Sequence, residues 1–247
     1  TPSVEEIEDQ VYTGEKTEPV VIVMNGTEKL VKDIHYIVSY SNNTNVTTSA
    51  EVTITARDGG NYAFEYIEKT FAITEYQLKD NEVTLEKTAY SHTGEAIEPE
   101  VSVVANGKTL LKGSDYEVEY SDNTEISDSA KVTISGKGNY SGIIEKTFSI
   151  KAKEEQNVSF EDDSVEKVYG DDNFINLATN QTNIGGTITY GSNNEKVAKV
   201  DETTGEVTIV GQGSTTIYAT AEETEDYSET TITYNLNVDK KTITATA

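Results

Sequence analysis

The fold is decided by residues 50–73, AEVTITARDGGNYAFEYIEKTFAI, which return at residues 130–150 as AKVTISGKGNYSGIIEKTFSI. In the first copy Ala50, Val52 and Ile54 alternate with other residues, which places them on one face of an extended chain. Such alternation over a short run is typical of a half-buried β-strand. A turn rich in glycine and asparagine follows, so each copy predicts short strands separated by a turn.

The match between the two copies extends upstream, which makes it an internal repeat of roughly eighty residues. Its anchors keep their order along the chain, and such ordered agreement is hard to obtain by chance. The matched pairs are Thr13-Gly14 with Thr93-Gly94, Pro19 with Pro99, Asn25-Gly26 with Asn106-Gly107, Tyr36 and Tyr40 with Tyr116 and Tyr120, and Asn61-Tyr62 with Asn139-Tyr140.

A third unit is less similar in sequence to the first two than they are to each other. It opens with VEKVYGDDNF at residues 165–174 and closes with DYSETTITYNLNV at residues 226–238, where a tyrosine again precedes an alternating strand. Between them, residues 205–221 alternate on both sides of a Gly-x-Gly turn, which predicts a hairpin. The predicted domains are residues 1–74, 75–152 and 153–239, and residues 240–247 are interpreted as the start of a further repeat.

Turn signals recur about every ten residues, which predicts about seven short strands per unit. A unit of this size can close one two-layered core, so we expect an all-β chain of three tandem β-sandwiches. The segments between units, residues 74–83 and 151–160, lack glycine and proline, which predicts an extended rod with limited flexing. The residues expected to anchor the cores are Tyr40, Ile54, Tyr62, Phe71, Ile73, Tyr120, Ile134, Tyr140, Phe148, Ile150, Tyr190, Val200, Ile209, Ile217, Tyr227 and Leu236.

The composition argues against several classes of function. The 247 residues include no cysteine, which excludes disulfides, thiolate nucleophiles and cysteine-ligated zinc. The net charge of −25 repels phosphate backbones and anionic membrane surfaces, so we expect no nucleic-acid partner. No apolar run has the length of a membrane span, and no signal peptide is visible at Thr1. We therefore expect a monomer without membrane insertion, whose export signal or anchor lies outside this sequence.

Candidate catalytic residues are few. His35 and His92 belong to different units and have no metal-ligand spacing, so we interpret them as ordinary surface residues. No G-x-S-x-G motif occurs, and a serine triad would lack a base. The sequence GKGNY at residues 136–140 precedes a strand rather than a helix, so it is interpreted as a turn and not as a phosphate loop. We predict no enzymatic activity and no catalytic, cofactor-binding or metal-binding residue.

The sequence contains candidate residues for two classes of ligand, and each set has a simpler interpretation. The oxygen-rich clusters Glu161–Asp163 and Asp171–Asn173 would suit calcium, but EF-hand spacing is absent and solvated acidic loops are favoured, so no cofactor is expected. The two tyrosine pairs among the repeat anchors could stack on a sugar. Their alternation places them on the core face instead, so core packing is the favoured interpretation.

These residues resemble the bacterial immunoglobulin-like (Ig-like) repeats of large cell-surface proteins. The first two units resemble repeats built on Y-T-G…P…N-G…L…D-Y…Y-S-N-N-T…V-T-I-x-G-x-G-N-Y…K-T-F-x-I. The first unit departs from that pattern at His35, where Asp is usual, and at Ala56–Asp58, where Gly-x-Gly is usual. The third unit, from Val197 to Ala219, resembles modules recognised by V-A-x-V-D…T-G-x-V-T-I-x-G-x-G-x-T-x-I-x-A-x-A.

The resemblance implies three tandem Ig-like sandwiches that lie outside the cell, on a bacterial surface or secreted. It implies a non-catalytic structural spacer that projects a distal functional domain, with neighbouring repeats of the same chain as partners. Two alternatives stay open, because such modules serve several roles. One is an adhesin or carbohydrate-binding region that contacts a host protein or glycan, and the other is an accessory region of a secreted polysaccharide-degrading enzyme.

Overall fold

The computed structural model describes residues 2–182 and 185–244. Within these ranges the regular structure is β-strand apart from one short 3-10 turn, Asp80–Glu82, which confirms the all-β prediction. Contacts divide the chain into two compact units, Thr1–Ile150 and Lys151–Ala247. This boundary lies close to the predicted start of the third domain, while the division into three domains stays a prediction. The prediction of a further repeat at 240–247 falls partly on residues 245–247, outside the described residues.

The first repeat is built from two sheets that enclose one core. Its four-stranded sheet has the order β2-β7-β6-β5 and its three-stranded sheet has the order β1-β3-β4. Alternation explains the burial, since Ala50, Val52 and Ile54 of β6 are fully buried while Glu51 is exposed. The strands are β1 Ser3–Val4, β2 Gln10–Val11, β3 Val23–Asn25, β4 Glu28–Lys29, β5 Tyr36–Ser41, β6 Thr47–Ala56 and β7 Ile67–Thr74.

The second repeat has the same arrangement and adds one pair of strands. A four-stranded sheet β10-β16-β14-β13 packs with a three-stranded sheet β12-β11-β9, and β8 pairs with β15. The strands are β8 Tyr76–Gln77, β9 Val83–Leu85, β10 Ala89–Ser91, β11 Val101–Ala105, β12 Lys108–Thr109, β13 Tyr116–Ser121, β14 Ser127–Gly136, β15 Tyr140–Ser141 and β16 Ile143–Lys151.

The second compact unit contains one four-stranded sheet, β18-β25-β24-β21, with the three-stranded sheet β19-β23-β22 and the pair β17-β20. Both strands of the predicted hairpin form, but the hairpin itself is wrong, because β24 pairs with β25 and β21, whereas β23 pairs with β22 and β19 in another sheet. The strands are β17 Val158–Phe160, β18 Ser164–Val168, β19 Phe174–Ile175, β20 Ala178–Asn180, β21 Ile188–Ser192, β22 Ala198–Val200, β23 Glu206–Ile209, β24 Gly213–Ala221 and β25 Thr230–Asp239.

Most predicted core anchors are buried. Phe71 and Phe148 are 3% and 2% exposed, and each belongs to the core of its own repeat. Truncating such a residue to alanine typically costs about 3–5 kcal/mol. Six anchors are only half-buried: Tyr40, Tyr62, Tyr120, Val200, Ile209 and Tyr227. All of these except Tyr227 pack at the margins of the cores.

Candidate functional site

The tyrosine pairs of the repeats form hydrogen bonds to the backbone and do not form an open platform. Tyr36 is 2% exposed, and its hydroxyl donates to the carbonyl oxygen of Val21 at 2.8 Å. The half-buried Tyr40 donates to the carbonyl oxygen of Pro19. Tyr116 and Tyr120 make the corresponding bonds in the second repeat, to Val101 and Pro99. Core packing, the favoured interpretation of these rings, therefore agrees with their positions.

His35 closes a loop of the first repeat. Its Nδ1 atom accepts a hydrogen bond from the backbone N–H of Val31 at 3.0 Å. In the second repeat the Oδ2 atom of Asp115 accepts the matching bond from Leu111 at 2.9 Å. An imidazole nitrogen thus replaces a carboxylate oxygen as acceptor, and the departure from the repeat pattern leaves the fold intact.

Two side chains of the cluster Asp171–Asn173 in the second unit make local hydrogen bonds. The Oδ2 atom of Asp171 accepts from the backbone N–H of Val168 at 2.8 Å, and Asn173 donates to Glu206 at 3.3 Å. Within residues 2–182 and 185–244, no group of three or more histidine, cysteine, aspartate or glutamate side chains is arranged to hold a metal ion. Calcium independence stays a prediction, which a melting curve with and without millimolar calcium would check.

The first two predicted units meet at a joint inside the first compact unit, where the loop before β15 contacts the first repeat. The Oδ1 atom of Asn139 accepts from the backbone N–H of Val46 at 2.9 Å, and its Nδ2 atom donates to Asn45 at 3.1 Å. The backbone carbonyl of Asn139 also accepts from the N–H of Tyr76 at 3.0 Å. One residue therefore connects the first repeat, the inter-repeat segment and the second repeat.

A lysine forms a second polar contact across this joint. The Nζ atom of Lys108 donates to the carbonyl oxygen of Gly14 at 2.9 Å and to Glu15 at 2.7 Å. The hydrogen bond from Lys108, and then its charge, lower the pKa of the Glu15 carboxyl. Gly14 has φ +83, and a Cβ atom there would lie 2.8 Å from the Lys108 ammonium. The left-handed conformation therefore favours glycine at this turn, and an added side chain would displace the Lys108 ammonium.

Three tyrosine rings complete the joint. Tyr140 meets Tyr12 edge-on, with ring centroids 5.4 Å apart, and Tyr76 at 6.2 Å. Edge-to-face contacts at these distances are favourable because the positive ring edge faces the negative face of its neighbour. Burial, and then the neighbouring Tyr12, raise the pKa of Tyr140 to about 12.

The sequence indicated only part of this joint. The Asn-Tyr pair is a repeat anchor, and the GKGNY sequence is a turn followed by β16, as predicted. Neither observation indicates that Asn139 reaches the previous repeat. Lys108 carries no signal in the sequence, because the contact is made with residues more than ninety positions away.

The second unit contains a similar backbone arrangement within itself. Glu154 forms a parallel bridge with Tyr227, and its N–H donates to the carbonyl oxygen of Asp226 at 2.9 Å. Gln156, only 5% exposed, has hydrogen bonds at both ends of its amide. The segment that enters the unit is thus again paired with the loop before the last strand.

Two cavities open on the first repeat. One, of about 410 Å³, is lined by residues 18–22, 29–32, Tyr36 and Tyr40, and it is flanked by Val20, which is 85% exposed. The other, of about 440 Å³, is lined by Pro2, Asn25, Leu30 and residues 62–67.

Comparison with known proteins supports the family resemblance in part of the chain. Residues 176–223, inside the predicted third domain, match the family model of the intimin immunoglobulin-like domain, which confirms the resemblance to bacterial Ig-like domains there. This match supports the general description of the chain as an Ig-like region of a cell-surface protein, located outside the cell. No curated protein sequence matches the chain.

The solved structures that match the chain share little sequence with it. Surface layer protein SbsC, domains 1–6, is 15% identical over 99% of this chain, with a TM-score of 0.35, and the chain spans 41% of that structure's length. The fibronectin(III)-like modules of Clostridium thermocellum CbhA are 12% identical over 64% of this chain and 94% of theirs, with a TM-score of 0.30. Mouse cadherin-23 EC22–24 is 12% identical over 98% of this chain and 99% of its own, with a TM-score of 0.26.

A helix capable of crossing a membrane is absent from the part of the chain that the structure describes.

Proposed function

We propose that the chain is a non-catalytic structural spacer of a bacterial surface protein, which projects a distal functional domain. The observation that carries this proposal is the joint at Asn139, where a side chain of the second repeat binds the backbone of the first. A spacer must keep its ends apart, and fixed joints between repeats achieve this better than flexible linkers. The segment between the first two repeats is itself paired through Tyr76 and Leu78, so little free chain is left there.

The charge of the chain supports the same role. A net charge of −25 favours solubility and opposes the association of neighbouring copies on a crowded surface. The partners of such a region are the adjacent repeats of its own chain, and it acts as a monomer.

Distances between two labels would test the rigidity of the joint. The chain has no cysteine, so Glu68→Cys and Glu145→Cys place one spin label on an exposed position of each of the first two repeats. We expect one narrow distance distribution by double electron–electron resonance. The combined Asn139→Ala and Lys108→Met changes should broaden it, and a broad distribution in the parent chain would contradict a fixed joint.

A display assay would test the spacer role itself. The chain is placed between a cell-wall anchor and an epitope on a bacterial surface, and a Gly/Ser linker with the same number of residues is the matched control. We expect the epitope to be more accessible to an antibody with the chain than with the linker. Equal accessibility would argue against the spacer role.

A binding role is the second candidate, and the cavity beside Val20 favours it. The corresponding position of the second repeat is Glu100, so Val20→Glu converts the rim of the cavity to its counterpart. A glycan array and a host-matrix binding screen would reveal a ligand. A binding signal that disappears in Val20→Glu would support an adhesin, and silence in both screens would favour the spacer.

A further inference from the structure

The second repeat binds the segment that enters it as an added strand. Strand β8 lies parallel to β15, and the N–H of Leu78 donates to the carbonyl oxygen of Ser141 at 2.9 Å. Tyr76 and Leu78 are 8% and 4% exposed, while Gln77 between them is exposed. The segment is therefore recognised by backbone pairing and by two alternate apolar side chains, which is the mode of β-strand addition.

The second compact unit receives its own entering segment in the same way. The bridge between Glu154 and Tyr227 is parallel, and the N–H of Ser228 donates back to the carbonyl oxygen of Glu154 at 2.8 Å. The side chain buried two residues further along is that of Gln156. The receiving loop has the sequence Asp-Tyr-Ser here and Asn-Tyr-Ser in the second repeat.

Among the described residues, the receiving loop of the first repeat carries no added strand. This loop contains Asn61-Tyr62-Ala63, and within the described ranges residues 61–66 make no backbone hydrogen bond to another segment. Tyr66 is 63% exposed, and the cavity of about 440 Å³ opens beside it. Phe64, by contrast, packs against the core of the repeat.

The sheet registers show that this cavity lies where the entering strand binds in the second repeat. Ile67 pairs with Ile54 in the first repeat, and Ile144 pairs with Ile134 in the second. Glu65 and Gly142 therefore occupy equivalent positions, because each lies two residues before the matched isoleucine. An added Cβ at Gly142 would meet Gln77 at 3.3 Å and the Leu78 backbone at 3.6 Å. Glu65 lines the cavity, so the wall that Leu78 covers in one repeat is open in the other.

We propose that this groove of the first repeat binds an extended polypeptide strand with the pattern Tyr-x-Leu, added parallel to residues 62–65. Val4 pairs with Val23 in the first repeat, and Val83 pairs with Val103 in the second. Leu78 lies five residues before Val83, so the equivalent position in the first repeat falls just ahead of Thr1. The loop of the first repeat is one residue longer between Asn-Tyr and the matched isoleucine, and Tyr66 of this loop lines the cavity. The proposal is independent of the spacer role, because it concerns only what the groove binds.

A short extension of the chain tests the proposal. The sequence Thr-Glu-Tyr-Gln-Leu-Lys, a copy of residues 74–79, is fused directly before Thr1 in the full chain, which sets the same register as in the second repeat. The matched control carries serine in place of the tyrosine and leucine of the extension. We expect amide exchange of residues 62–66 to slow by about tenfold with the first extension and to remain unchanged with the second.

Chymotrypsin provides an independent measurement. Cleavage after the exposed Tyr66 should slow several-fold with the Tyr-x-Leu extension, whereas the serine control should be cleaved like the parent chain. Unchanged exchange and cleavage with the Tyr-x-Leu extension would overturn the proposal. Equal protection by both extensions would also overturn it, because lengthening the chain alone would then be sufficient.

Discussion

The second repeat and the second compact unit hold their entering segments with the same backbone pairing but with opposite kinds of side chain. Leu78 is 4% exposed and belongs to an apolar core, whereas Gln156 is 5% exposed and sits within a polar network. The Oε1 atom of Gln156 accepts from Asn180 and Gly186, both at 2.7 Å, and its Nε2 atom donates to backbone carbonyls of residues 222 and 228.

The difference shows that backbone pairing defines where the entering strand lies, while its anchor depends on the groups around it. A leucine gains free energy by leaving water, and it requires only an apolar site of its own shape. A buried glutamine requires a partner for each donor and acceptor, because an unsatisfied buried group is costly. The two anchors should therefore not be interchangeable, and exchanging them is the most direct test.

The largest effect is expected for Leu78→Gln. This change removes a packed leucine and places an amide in the apolar core of the second repeat, which should lower the free energy of unfolding by about 3 kcal/mol. Native-state hydrogen exchange of the β8 and β15 amides measures the loss. The Leu78→Met variant keeps the volume and should cost less than about 1.5 kcal/mol. Equal stability of the Gln variant and the parent would refute the apolar anchor.

The reverse exchange, Gln156→Leu, should cost about 2 kcal/mol, since the N–H of Gly186 and the amide of Asn180 lose their acceptor. The measurement is the unfolding transition of the second unit, followed by urea titration with NMR detection. Gln181 is exposed, so Gln181→Leu is the matched control and should change stability little. A variant as stable as the parent would mean that the polar network adds nothing over an apolar anchor.

A smaller effect is expected for Asn139→Ala, which removes the acceptor for the Val46 N–H and the bond to Asn45. The contact between repeats should weaken by about 1 kcal/mol, because an intramolecular hydrogen bond typically contributes that much. Faster exchange of the Val46 amide would report it. Asn139→Asp keeps the Oδ1 acceptor, so it should preserve most of the protection, and equal losses in both variants would refute the assigned bond.

The smallest effect concerns the pKa of Tyr140, which burial and the neighbouring Tyr12 raise to about 12. A raised tyrosine pKa stabilises the fold at pH values below the ordinary value, and this contribution is lost as the pH rises through about 12. Tyr12→Phe should lower the pKa of Tyr140 without bringing it to the ordinary value, because burial is the larger cause. Tyr234 is the control, since burial alone raises its pKa to about 12 and the substitution should not change it. NMR titration of both rings would show whether only Tyr140 responds.

Much of the architecture could be predicted from periodicity. Alternation in AEVTIT and AKVTIS placed the same residues inside each repeat. The predicted match of Asn25-Gly26 with Asn106-Gly107 is displaced by one residue. Asn25 pairs with Glu28 and Ala105 pairs with Lys108, so Gly26-Thr27 form the turn that matches Asn106-Gly107. The two Asn-Gly dipeptides are not structurally equivalent, because the hairpin register and not the dipeptide determines which residues form the turn.

The sequence by itself determined that this chain is all-β, that its first two units repeat one pattern and that most of its predicted anchors lie in cores, because strand period and repetition are local properties of the chain. Tertiary structure alone decided the joint and the receiving grooves. Asn139 meets Val46, and Lys108 meets Gly14, only after separate sheets have closed and brought distant loops together. The polar surroundings of Gln156 arise in the same way, since its partners come from four separate segments whose meeting no local pattern records.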